Sequence, residues 1–119
     1  MRSLATMFCL TLATASAEAA TFLDGAYGNK EGCIYAKTGE SSGADTFFLL
    51  NDKGITTAMA QCLFKAAAVK TATGFTVRGQ CEAEGETGPE ETVTLKRTAE
   101  GYTVSFPDGT TWGPLAQCR

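Results

Sequence analysis

Histidine is absent from all 119 residues. The commonest general base at neutral pH, and the commonest metal ligand, are missing with it. A serine or cysteine nucleophile would have no imidazole to take its proton. Excess positive charge is lacking too: Lys and Arg number 10 against 13 Asp and Glu, a net charge of −3. Such a chain carries no basic stripe for a phosphate backbone, which argues against DNA or RNA as partners. No C-x-x-C pair occurs, so zinc would need thiolates drawn from distant points. The D-x-D-x-D-G pattern of a calcium loop is also missing. These absences predict a protein with no metal, no cofactor and no catalytic residue.

Long apolar runs are confined to the front of the chain. MRSLATMFCLTLATASAEAA has one positive charge at Arg2, an uncharged stretch from Ser3 to Ser16, then small residues around Ala17 and Ala19. This layout predicts a secretory signal peptide over residues 1–19, with cleavage after Ala19; Ala17 and Ala20 are the neighbouring alternatives. The apolar stretch falls short of the ~20 residues that span a bilayer. Met7 and Phe8 before Cys9 are too bulky for a lipidation signal, so Cys9 is expected to leave with the leader. Residues 20–119 then form one small domain, periplasmic or secreted, with no membrane span after cleavage. At that length only ~65% of the unfolded surface can be buried, so covalent staples help.

Four cysteines remain: Cys33, Cys62, Cys81 and Cys118. In an exported chain an even count predicts two disulfides. Cys62 and Cys81 lie equally far from the Ala72 region, so a hairpin turning there sets them opposite each other, and Cys33 then takes Cys118. The rival pairing, Cys33 with Cys62 and Cys81 with Cys118, stays open.

Short strands separated by turn residues account for most of the rest. CIYAK (33–37) is a short apolar run, read as the first strand, and TFFLLN (46–51) is too continuous for simple alternation. Asn51-Asp52-Lys53-Gly54 and Pro107-Asp108-Gly109 supply turn chemistry. GFTVRGQC (74–81) alternates through Phe75 and Val77, ETVTLKR (91–97) through Val93 and Leu95, and GYTVSF (101–106) through Tyr102, Val104 and Phe106. The pattern predicts an all-β fold, a small antiparallel meander or barrel with two disulfides. AMAQCLFKAAAVK (58–70) fits either a strand through about Ala66 or a short helix; the strand reading is preferred because it aligns the cysteines.

Gly39-Glu40-Ser41-Ser42-Gly43 matches the G-x-S-x-G elbow of hydrolases, but nothing follows it except a polar lead into a strand. Lys37 near Ser41 would need a desolvating cavity to act as a base. The acidic strip CEAEGETGPEE (81–91) places Glu82, Glu84, Glu86, Glu90 and Glu91 beside two glycines and a proline. Its simplest reading is a solvated turn that discourages strand-edge aggregation. The other readings are a patch for a basic protein or a cation-binding loop. Trp112, the one tryptophan, is a core residue or a surface anchor for a partner.

Gly32-Cys33, FLLNDKGI (48–55), Gln61-Cys62, GFTVRGQCEAEGE (74–86) and Gln117-Cys118-Arg119 follow an order that resembles small exported four-cysteine proteins of Gram-negative bacteria. A looser analogy, at the level of fold, is to periplasmic lysozyme inhibitors. The resemblance implies a periplasmic or secreted β domain and transfers no catalytic motif. The expected function is that of an exported, non-catalytic binding protein, one version being an inhibitor of a cationic envelope-attacking hydrolase. The alternatives are a structural envelope component without a dedicated ligand and a small hydrolase.

Overall fold

The computed structural model describes residues 21–40, 43 and 46–119. Residues 1–19, expected above to be a leader that includes Cys9, and the Ser41-Ser42 core of the G-x-S-x-G match lie outside the described residues. In chain order the elements are β1 (Tyr27–Gly28), α1 (Lys30–Thr38), β2 (Phe48–Asn51), β3 (Gly54–Thr57), β4 (Ala60–Phe64), β5 (Val69–Lys70), β6 (Gly74–Ala83), β7 (Glu86–Thr98), β8 (Gly101–Ser105) and β9 (Thr111–Gln117).

Alternation in the longest strands decides the architecture. Val77 of β6 faces Val93 of β7, and Leu95 of β7 faces Val104 of β8; all four are buried. The polar residues between them face outward, so the middle of the sheet has one apolar face. The sheet buries that face by curling on itself. Its strands run β4-β3-β2-β1-β9-β8-β7-β6, and a further pairing of β4 with β6 closes an eight-stranded antiparallel barrel. Strand β5 is an extra piece on β6, beyond the point where β4 leaves it. Four residues separate Phe64 from Val69 where β6 has only two, between Thr76 and Gly79, so the chain loops outward between β4 and β5. Closure leaves few unpaired edges. The lumen is filled by Leu50, Ile55, Cys62, Val93, Leu95 and Val104.

Both cross-links follow the preferred pairing. Cys62 and Cys81 are register partners across β4 and β6, with Cα atoms 3.9 Å apart. Cys33 joins Cys118 across 85 positions of sequence. Residues 58–70 contain no helix: Ala60–Phe64 is strand β4 and Val69–Lys70 is strand β5. Helix propensity in this alanine-rich stretch yields to pairing with β6 on one side and β3 on the other.

The CIYAK run is a correction in the opposite sense. It lies in helix α1, not in a strand. Its caps explain why. The Asn29 side chain accepts from the Gly32 N–H at 2.8 Å and from the Phe48 N–H at 3.1 Å, so one amide both starts the helix and ties it to β2. Gly39 ends it in the left-handed region at φ 78°, donating its N–H to the Tyr35 carbonyl. Glu31 in the first turn and Lys37 in the last complement the helix dipole.

Candidate functional site

The strand register gives the barrel two mouths. One is bordered by the β6–β7 hairpin and the β8–β9 turn, the other by the β2–β3, β5–β6 and β7–β8 turns.

At the first mouth, Ala83 pairs with Glu86, leaving Glu84 and Gly85 as a two-residue loop. Their φ angles are 52° and 80°, the two positive values of a type I′ turn, which suits the twist of a hairpin. Glycine takes its value without cost, whereas Glu84 bears some strain. Opposite Cys81 the ladder carries an irregularity: Gln80 pairs with Glu90 but Glu82 with Thr87, so Gly88 and Pro89 together face one residue. The Gln80 amide closes this bulge by donating to the Gly88 carbonyl at 2.9 Å.

The five glutamates therefore separate. Glu82, Glu84 and Glu86 lie exposed around the hairpin tip. Glu90 points to the outer face, where its carboxylate comes 3.9 Å from Arg78 Nε. Glu91, the next residue along β7, turns to the opposite side and lines a cleft at the barrel mouth.

That cleft measures about 220 Å³. The Cys62–Cys81 bridge lies against one side, and Phe106, Asp108 and Trp112 of the β8–β9 segment form another. Trp112 is half-buried, with its ring 4.9 Å from Phe106 and 5.4 Å from Phe48, which fixes the indole while leaving part of it accessible. Asp108 accepts the Thr110 N–H at 2.8 Å. That backbone bond, followed by the Thr110 side chain, holds the Asp108 carboxyl below the ordinary carboxylate value. The cleft thus combines two carboxylates with two aromatic rings and, among the described residues, has no cationic lining. An arrangement of this kind attracts a cation, by charge and through the face of an indole.

Of the residues singled out from sequence, Glu91 and Trp112 meet here beside Cys62 and Cys81, while Glu82, Glu84, Glu86 and Glu90 do not enter the cleft. Asp108 and Phe106 are the contributors that sequence reasoning passed over. Asp108 reads in sequence only as a turn residue; its place four positions before the single tryptophan is the signal that marks it.

The second mouth holds a tighter polar cluster. The Tyr27 hydroxyl donates to Asp24, whose carboxyl is lowered chiefly by that bond. Burial, and then the Asp24 bond, push the Tyr27 phenol up to about 12.

Comparison of the chain with protein-family models, with curated proteins and with solved structures finds no match to any of them. Its two disulfides fit an oxidising extracytoplasmic compartment. Among the described residues no helix is long and apolar enough to cross a membrane.

Proposed function

We propose that this is a non-catalytic binding protein of the periplasm or the extracellular space, and that its acidic mouth receives a basic side chain from a partner protein. The observation that carries the reading is the convergence of Glu91, Asp108, Phe106 and Trp112 on one small cleft. Its volume lies below the ~300 Å³ at which small-molecule pockets begin. It therefore suits one lysine or arginine head better than a free metabolite. Trp112 supplies an aromatic anchor, and Glu91 with Asp108 supplies the charge. Glu82, Glu84 and Glu86, outside the cleft, act at longer range by steering the encounter.

A concrete partner of this chemistry is a basic, envelope-attacking hydrolase of the lysozyme type. The test is a cell-wall lysis assay with lysozyme, run with the disulfide-intact protein and two sets of variants. Inhibition is expected. Glu91→Gln with Asp108→Asn should raise the dissociation rate about tenfold or more, since charged hydrogen-bonded contacts are lost. The triple change Glu82→Gln, Glu84→Gln and Glu86→Gln should instead slow association and flatten its salt dependence. Inhibition indifferent to both sets removes the acidic mouth from the account. Absence of inhibition removes this class of partner.

A further inference from the structure

At the second mouth the charge reverses. A cleft of about 590 Å³ opens there, within the range of small-molecule sites. Phe22, Phe75 and Tyr102 give it an aromatic wall, with Phe22 and Phe75 5.0 Å apart and Phe75 6.4 Å from Tyr102. Two cations border that wall. Lys70 Nζ stands 5.1 Å from the Phe75 ring centre, and the Arg97 guanidinium stands 5.1 Å from that of Tyr102. Arg97 also donates to the Tyr102 hydroxyl at 3.3 Å, which fixes its plane. Among the described residues neither cation has a carboxylate within ion-pair distance. Asp24, the one carboxylate among the described lining residues, already accepts from Tyr27. With Lys70 and Arg97 positive and Asp24 negative, the lining carries one net positive charge.

We infer that this mouth binds a small organic monoanion, a carboxylate carried on a flat apolar ring. The count of charges favours one negative group over two. The half-exposed rings of Phe22 and Phe75 call for an apolar body, which inorganic anions lack. Arg97 presents a planar fork suited to a carboxylate, and Lys70 adds a mobile second charge. The ligand sits at the mouth and not inside the barrel, because Tyr27, Leu50, Leu95 and Leu115 fill the lumen beneath. This site is independent of the acidic mouth, so the failure of one leaves the other standing.

Benzoate is the probe. It is titrated into the native, disulfide-bonded protein and followed by backbone amide shifts, alongside benzylamine and inorganic phosphate. Saturable shifts are expected at Thr73, Gly74, Phe75, Arg97 and Tyr102, with phosphate weaker than benzoate and benzylamine inert. Arg97→Gln should weaken benzoate about tenfold, and Lys70→Gln by a smaller factor. Both side chains are exposed, so the fold should survive either change. Four results overturn the inference: no shifts at these amides, equal binding of benzylamine, phosphate binding as well as benzoate, or undiminished affinity in Arg97→Gln.

Discussion

Tyr27 is 1% exposed, yet its hydroxyl meets a carboxylate at the rim of the barrel. Burial favours the neutral phenol, and so does the bond to Asp24. Because the folded value is raised to about 12 from an ordinary 10, the group adds stability that is complete below pH 10 and fades as pH climbs through 12. Asp24 behaves in the mirror sense: its lowered value adds stability above the ordinary carboxylate range, lost as pH falls through the folded value. Ultraviolet titration of phenolate absorbance should show a transition near pH 12 that belongs to Tyr27. Asp24→Asn should bring that transition down part of the way only, since burial is the larger cause. A transition unmoved by Asp24→Asn would show that the pair is not coupled.

Gly32 governs how helix α1 seats against the barrel. A Cβ built there would lie 1.9 Å from the Phe48 carbonyl oxygen, so a side chain forces α1 away from β2. Gly32→Ala should cost about 1–3 kcal/mol in urea unfolding, the range for overpacking. Gly39→Ala serves as the contrast: a Cβ there meets nothing within 4 Å, and only the φ of 78° opposes it. It should cost about 1 kcal/mol. Equal costs would mean that the helix does not depend on close approach to Phe48. The same element shows why sequence reading stops short. CIYAK has five residues and an apolar look, and its caps lie outside it, at Asn29 and Gly39. Asn29 also spends its side chain on Phe48 and Thr46, contacts that no local pattern announces. The long strands are legible because Val77, Val93, Leu95, Tyr102 and Val104 alternate over runs that no helix would bury. Strand β4 is legible only through Cys62, whose spacing from Cys81 along the chain implies a hairpin where the alanines around it favour a helix.

Across the whole molecule, two cross-links do different amounts of work. Cys33–Cys118 closes a separation of 85 residues and Cys62–Cys81 one of 19. Loop-closure entropy makes the first worth ~4.6 kcal/mol and the second ~3.2 kcal/mol. Replacing each pair by alanine and measuring urea unfolding should give costs in that order. The reverse order would show that Cys62–Cys81, with Cys62 buried in the lumen, acts through packing more than through the unfolded chain. Barrel closure also explains why the candidate site is only half visible in sequence. Glu91 and Asp108 are distant along the chain and become neighbours only when β7 and the β8–β9 turn border one mouth. The crowd of glutamates around the hairpin draws attention to the strip, but alternation sends Glu90 outward and leaves Glu91 alone beside Trp112.

Trp112, as the one tryptophan, reports on that mouth directly. Its fluorescence should be followed during titration with a tryptophan-free tetra-arginine peptide, at ionic strengths where the Debye length is ~30 Å and ~8 Å. A saturable change in emission is predicted, tighter at low salt and abolished by Glu91→Gln with Asp108→Asn. Emission that ignores the peptide, or responds equally in the double variant, would contradict a cation-binding mouth.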